Sequence, residues 1–292
     1  MLVTAVITTH KRPPELLERA IKSVLNQTHQ NIELIVVDDS PVEYELRSAV
    51  KALVESYATK NVTYVPHEKV MGACAARNSG LARAKGEFIG FLDDDDEWLP
   101  NKIEEQIKAF DSKDVALVYC GSLTVFDSTG KQEERKCIFT RENVYEKLMY
   151  ENFIGSTSFP LLRTEVLRQI GGFDVEMLSS QDYDVWLRIA KNHAVNYVKE
   201  PLVLYHWHEG DQITKNPAKK IAGLERILSK NMDYIKKHKD VYWLSCMSLI
   251  VWYVRAGDRK KAFSIWLKTI FKEPFKVKDN AKYLYTILIN GR

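Results

Sequence analysis

The sequence predicts an α/β fold: a layered, mostly parallel sheet flanked by helices, followed by an all-helical C-terminal extension. Three observations predict it. Short apolar runs alternate with segments of helical spacing over the first hundred residues. Several runs stop abruptly at carboxylates, most plainly Phe88-Ile89-Gly90-Phe91-Leu92-Asp93-Asp94-Asp95-Asp96-Glu97-Trp98. Beyond Pro217 the strand pattern disappears and only helical spacing continues.

Val3 to Thr8 reads as a first buried strand, broken by Lys11-Arg12-Pro13-Pro14, and Pro14 is suited to open a helix. Leu16, Leu17, Ala20, Ile21, Val24 and Leu25 give that helix its apolar face. Ile32 to Val37 is a second strand ending at Asp38-Asp39-Ser40-Pro41, and Leu46, Ala49, Val50, Leu53 and Val54 mark a second helix. Val62 to Val65 is a third strand, Gly72 to Ala84 a small-residue helix, and Phe88 to Leu92 a fourth strand. Strands alternating with helices imply a parallel sheet of the nucleotide-binding type. A helix follows Pro100. Val115 to Tyr119, Leu123 to Phe126, Val195 to Val198 and Leu202 to His206 read as four separate strands. Phe153 to Phe159 reads as a polar-aromatic loop, Val166 to Ile170 as a short helix ended by Gly171-Gly172, and Gln181-Asp182-Tyr183-Asp184 as a helix start. In the tail, Trp243, Cys246, Met247, Ile250 and Val251 share a face, and a last helix runs through Leu284 and Leu288.

Composition bounds the class. A chain of 292 residues buries about 75% of the surface its unfolded form exposes and needs no staples. Four scattered cysteines without a CxxC pair argue against a zinc site or a disulfide framework and fit a reducing compartment. No signal peptide is read at Leu2-Val3-Thr4-Ala5-Val6-Ile7, and the apolar stretch from Val241 to Val254 is shorter than the ~18 residues of a membrane span. The expected location is the cytoplasm, or the inner face of a membrane. The net charge of +3 hides an asymmetry: −8 over residues 1–216 and +11 over 217–292. A basic helical tail suits a polyanion, an anionic membrane surface or simply a solvated exterior.

Carboxylates terminate strands or open helices at Asp38-Asp39, at Asp93 to Asp96, and at Asp182 with Asp184. Strand ends of a parallel sheet converge on one crevice, so these groups are candidates for a common site. Crowded carboxylates repel unless a cation offsets them, and hard divalent ions arrive at such sites with phosphates. Neither GxxxxGK[ST] nor GxGxxG is present, and there is no GxSxG elbow.

The segments Thr8-Thr9-His10-Lys11-Arg12-Pro13, Ser23-Val24-Leu25-Asn26-Gln27-Thr28, Glu33-Leu34-Ile35-Val36-Val37-Asp38-Asp39-Ser40 and Gly72-Ala73-Cys74-Ala75-Ala76-Arg77-Asn78-Ser79-Gly80 resemble family 2 glycosyltransferases. Phe91 to Trp98 is similar to the family's DXD-containing segment. Gly171-Gly172-Phe173-Asp174 and Gln181 to Arg188 are similar to its acceptor-side motifs. The resemblance covers roughly residues 2–210 in one colinear order. It implies a GT-A fold over residues 1–214, with a nucleotide half at 1–100 and an acceptor half at 101–214, leaving 215–292 as a basic helical domain.

The resemblance also implies roles. Thr9, Arg12, Asp39, Gly72, Arg77, Asp93 and Asp94 would hold the nucleotide-sugar, with Asn78 in the same pocket. Asp38 would contact the nucleoside or only brace the loop, and Arg77 would serve the nucleotide or pair with the acidic loop. Asp95 and His208 would hold Mn2+ or Mg2+. Asp182 would be the catalytic base, with Asp184 as its fallback and a helix cap as the structural alternative. Gln181 departs from the family, where an acid usually precedes the base, and His206 stands where relatives carry arginine. The activity implied is inverting, metal-dependent transfer of a hexose or N-acetylhexosamine, from a UDP-sugar first of all, to a glycan on a lipid or protein. The rival readings are a sugar-nucleotide nucleotidyltransferase and a non-catalytic nucleotide- or glycan-binding relative. Trp98, Trp186 and Trp207 are candidates for stacking on sugars or for core packing. The tail helices are candidates for peripheral membrane contact, a homo-oligomer interface or plain helix packing. No nucleic-acid partner is expected.

Overall fold

A computed structural model of the protein describes residues 1–207 and 216–272. His208 and the helix expected through Leu284 and Leu288 lie outside the described residues. The chain divides into two compact units. One comprises Met1–Val175 with Val185–Glu209, the other Glu176–Asp184 with Gly210–Arg292. The segment 176–184, expected in the acceptor half, therefore groups with the helices.

Among the described residues of the first unit, nine strands form one mixed sheet: β1 (Val3–Thr9), β2 (Ile32–Asp38), β3 (Val62–Pro66), β4 (Phe88–Asp93), β5 (Glu97–Trp98), β6 (Val115–Phe126), β7 (Lys131–Glu134), β8 (Leu161–Arg163) and β9 (Ala194–Trp207). Their order is β3-β2-β1-β4-β8-β6-β9-β5, with β7 paired to β6. The first four strands are parallel, and β8 runs antiparallel to both β4 and β6. This is the expected α/β architecture, with the helices α1 (Pro14–Leu25), α2 (Arg47–Ser56) and α3 (Ala73–Arg83) serving the parallel part and α4 (Lys102–Lys108), α5 (Val144–Leu148), α6 (Thr164–Gln169) and α7 (Gln181–Ala190) following. The buried side chains of Val3, Ala5, Ile7, Leu34, Val36, Phe88 and Leu92 pack in one core with Leu17, Ala20, Ile21 and Val24 of α1.

Two pairs of expected strands are single strands. β6 runs unbroken from Val115 to Phe126, and β9 from Ala194 to Trp207. Lys199-Glu200-Pro201 looks like a break in the sequence because proline cannot donate to a ladder. The chain absorbs it as an irregularity, with Gly121 opposite Pro201 and register shifts on either side. A side chain at Gly121 would meet the Lys199 and Glu200 carbonyls. The short strands β5, β7 and β8 carry too few residues for a readable period.

Helix α3 lies unusually close to β1. A Cβ at Gly80 would overlap the Val6 side chain. The helix begins after Gly72, which adopts φ +89, a conformation suited to glycine. Close approach at one end and a left-handed start at the other fix where Arg77 and Asn78 point.

In the second unit α8 (Pro217–Lys230), α9 (Met232–Lys237), α10 (Lys239–Arg255) and α11 (Arg259–Lys272) follow one another. Trp243, Cys246, Met247, Ile250, Val254 and Ala262 form its buried core, with Tyr253 and Trp266 packed against it. Helix α8 grips the segment 176–184. Ser179 Oγ donates to the Lys219 carbonyl at 3.0 Å, and a side chain at Gly223 would overlap Ser179. Arg226 pairs with Glu176 at 2.5 Å.

The Gly80→Ala variant should fold less stably by about 1–3 kcal/mol, the usual cost of overpacking. Denaturant unfolding against wild type measures it. An unchanged midpoint would show that α3 can back away from β1.

Candidate active site

The parallel register brings the ends of β1, β2 and β4 together, β2 and β4 ending in carboxylates. Thr9 lies opposite Asp38 across β1 and β2, and Thr8 opposite Asp93 across β1 and β4. This is the edge at which open α/β sheets hold ligands. Thr9, Arg12, Asp39, Gly72, Arg77, Asp93, Asp94 and Asp95 are thus gathered at or beside one edge.

Asp38 and Asp39 are both buried. Asp38 accepts from the Ser40 amide at 2.9 Å and the Tyr64 hydroxyl at 2.6 Å, which makes it a loop brace. Asp39 accepts from the Met71 amide at 2.7 Å and the Gly72 amide at 2.8 Å, so it anchors the start of α3. His67, which the sequence did not flag, joins Asp39 at 2.7 Å and Ser79 at 2.9 Å. The Asp–His–Ser order resembles a nucleophile relay. Ser79, however, lies within α3, where helical bonding consumes the backbone amides an oxyanion would need. The relay therefore serves as a brace. Arg47, also missed, ties the Ser40 and His67 carbonyls together.

The acidic loop resolves into four different environments. Asp93 accepts from Arg77 at 2.8 Å, from Thr157 Oγ1 at 3.2 Å and from Ser156 Oγ at 3.3 Å, with its side chain 31% exposed. Asp94 is buried and accepts from Arg12 Nε at 2.9 Å. Burial lifts its carboxyl above the usual range against the pull of Arg12. Asp95 accepts from a terminal nitrogen of Arg12 at 2.9 Å and is 21% exposed. Asp96 is 1% exposed and accepts from Ser158 Oγ at 2.6 Å and the His206 amide at 3.1 Å. Burial, reinforced by Asp93 and Asp95, pushes its carboxyl well above the usual range. Thr9 is buried beside Asp94, and its hydroxyl meets full hydrogen-bond geometry with no protein group.

His206 links the end of β9 to this loop. Its ring contacts Asp127 at 2.7 Å and Glu97 at 2.9 Å, and Glu97 reaches Arg19 at 3.4 Å. Burial works against its charge, but the two carboxylates outweigh burial and raise its pKa. Arg19 also donates to the Asp95 carbonyl at 2.7 Å. His206 thus braces the loop.

The structure shows which partners Asn78, Trp98 and Trp186 take. Both ends of the Asn78 amide are engaged with the Phe173 backbone, at 2.7 and 2.8 Å, so Asn78 pins the Gly171-Gly172-Phe173 turn. Trp98 and Trp186 are buried, their indoles donating to the Ser158 and Gly155 carbonyls, which removes them as sugar-stacking surfaces. Ser156, Thr157 and Ser158, which reach Asp93 and Asp96, lie in the stretch expected only as a polar-aromatic loop. Their signal is three consecutive hydroxyls.

The oxygen donors suit a hard divalent cation. Among the described residues no group of three His, Cys, Asp or Glu side chains converges as a ready cage. Asp93 and Asp95 keep partly exposed carboxylates, which matches Mg2+-type binding through one or two carboxylates plus phosphate oxygens.

Asp182 and Asp184 belong to the second unit. They sit in the first turn of α7 (Gln181–Ala190), which crosses the division between units. Asp182 is half-buried and accepts from the Tyr183 amide at 2.7 Å. Asp184 is buried and paired with Lys230 at 2.7 Å, which commits the fallback base to α8. Gln181 donates to the Met177 carbonyl at 3.1 Å, a bond that no acid could make in its ionised form.

Residues 4–171 match the sequence profile of Glycosyl transferase family 2. The chain is 32% identical over 240 residues to the putative colanic acid biosynthesis glycosyl transferase WcaA of Escherichia coli K12, covering 78% of each chain. It is 30% identical over 179 residues to the UDP-Glc:alpha-D-GlcNAc-diphosphoundecaprenol beta-1,3-glucosyltransferase WfgD of Escherichia coli, covering 61% of this chain and 66% of that one. Its fold resembles S. aureus TarS 1–349 in complex with UDP-GlcNAc, with a TM-score of 0.67 at 17% identity, covering 98% of this chain and 82% of that one. Against the longer TarS structure it spans 54% of the length.

Asp96 yields a test of its bracing role. Its folded-state pKa lies above the unfolded value, so its stabilising contribution is present below about pH 4 and is lost as pH rises. In Asp96→Asn the amide oxygen still accepts from His206 and the amide NH2 donates to Ser158. The variant should match wild type near pH 4 and exceed it in denaturation midpoint at neutral pH.

Proposed function

The chain belongs to glycosyl transferase family 2, and we propose that it is an inverting, metal-dependent glycosyltransferase that uses a UDP-sugar. The acceptor is a glycan hydroxyl on a lipid diphosphate carrier. The observation that carries the reading is the pair of partly exposed carboxylates, Asp93 at the end of β4 and Asp95 just after it, held by Arg77 and Arg12 respectively. The WfgD relative, whose acceptor is diphosphoundecaprenol-linked, supports the acceptor class.

In this reading the acceptor oxygen attacks the anomeric carbon from the face opposite the diphosphate. The new C–O bond forms as the bond to the diphosphate breaks, and the electron pair stays on the departing phosphate oxygen. Asp182 takes the hydroxyl proton, a contribution of about 10²–10⁴-fold for a positioned base. Mn2+ or Mg2+, when bound, offsets the charge that grows on the diphosphate. Asp95 and Asp93 would hold it, with His208 as a further candidate. Arg77 and the Thr9 hydroxyl would contact the donor, and Asp39 holds the start of α3.

No helix among the described residues is long and apolar enough to cross a membrane. Helix α11 nevertheless suits an anionic lipid surface. Phe263 and Leu267 are exposed, and Arg259, Lys260, Lys261 and Lys268 accompany them without an acid from 259 to 270. Phosphatidylglycerol vesicles should sediment the protein where phosphatidylcholine vesicles do not. Lys260→Glu/Lys268→Glu should weaken that binding while leaving the unfolding midpoint in place.

A panel of nucleotide sugars with Mn2+ or Mg2+ tests the central reading. Slow release of UDP from one donor is expected, lost by at least about 100-fold in Asp95→Ala. Acceptor-dependent transfer should fall by about 10²–10⁴-fold in Asp182→Asn with donor affinity retained. Absence of binding to any nucleotide would refute the proposal.

A further inference from the structure

Arg12 does more than approach the acidic loop. Its Nε donates to Asp94 at 2.9 Å and a terminal nitrogen reaches Asp95 Oδ2 at 2.9 Å, so one guanidinium spans two adjacent carboxylates. The backbone is arranged for this. Lys11 adopts φ +52, uncommon for a residue with a side chain, and its amide is tied to Ser40 Oγ at 2.8 Å. His10 Nδ1 lies 2.8 Å from the Asp39 carbonyl. The turn that carries Arg12 is therefore fastened to the segment that also anchors α3. Asp94, the inner partner, is buried, whereas Asp95, the outer one, is partly exposed.

We propose that Arg12 and a divalent cation compete for the Asp95 carboxylate, so that Arg12 acts as the internal counter-ion of the acidic loop and sets how tightly the loop takes metal. This rests on the reading of Asp95 as a metal ligand. A dication and a guanidinium cannot both sit against Asp95 Oδ2 without mutual repulsion. Asp94 gives Arg12 a position to retain when Asp95 is taken. The guanidinium fork is what allows the bridge, since a lysine ammonium is a single point charge.

The test is Mn2+ binding without nucleotide, read from the electron paramagnetic resonance signal of the free ion. Wild type is compared with Arg12→Gln, Arg12→Lys and Asp95→Ala, each checked for fold by circular dichroism. Arg12→Gln should bind Mn2+ about tenfold more tightly, the worth of one charge-assisted hydrogen bond, and Arg12→Lys should fall between it and wild type. Asp95→Ala should abolish the binding. Equal or weaker affinity in Arg12→Gln, binding that survives Asp95→Ala, or no Mn2+ binding by any variant would overturn the proposal. If Arg12→Gln fails to fold, Arg12→Lys decides by the same comparison. Failure of wild type to release UDP from any donor would count against the glycosyltransfer reading alone, because Mn2+ binding is measured without a donor.

Discussion

The structure is governed by a like-charge problem at the edge of a parallel sheet. Asp38, Asp39 and Asp93 to Asp96 crowd the ends of β2 and β4, and together they would be costly without compensation. The fold compensates each one differently. Backbone amides and a tyrosine hydroxyl take Asp38, and amides with a histidine take Asp39. A serine and an amide hold Asp96, Arg77 holds Asp93, and Arg12 divides itself between Asp94 and Asp95. Partners drawn from loops far apart in sequence are thereby fixed to one edge. The site is a by-product of how that repulsion is distributed, with only Asp93 and Asp95 left partly exposed.

Much of this was legible from the chain. A buried strand must be apolar, and a run of aspartates directly after one can only mark its exposed end. The apolar pattern alone places Asp38, Asp39 and Asp93 to Asp96 at strand ends. It does not distinguish the four aspartates, because their differences lie in partners such as Ser158 and the His206 amide, which reach Asp96 across 62 and 110 residues of sequence. His67 was illegible for a similar reason. A lone histidine after a strand has no signature until Asp39 and Ser79 are seen on either side of it. Asn78 is the reverse case. It lies in a recognisable motif, but its amide is spent on the Phe173 backbone.

Strand length was the other blind spot. Periodicity read β6 and β9 as four pieces because Gly121 and Pro201 interrupt the pattern. Pairing over both sides of the irregularity holds them together, a tertiary effect that local propensity does not carry. The continuity matters for the site, since β9 delivers His206 to Asp96, Glu97 and Asp127.

The grouping of residues 176–184 with the helices has a consequence for modularity. The segment bearing Asp182 is fastened by Ser179 to Lys219, by Ser180 to Lys220 and by Asp184 to Lys230, all contacts to α8. A chain cut after β9 would keep every strand of the sheet and lose each of those fastenings. The sheet and the proposed base are therefore not separable cassettes. A chimera that exchanges the C-terminal helices with those of a relative would also exchange the footing of the proposed proton acceptor, and swaps of that kind would have to take 176–184 along with them.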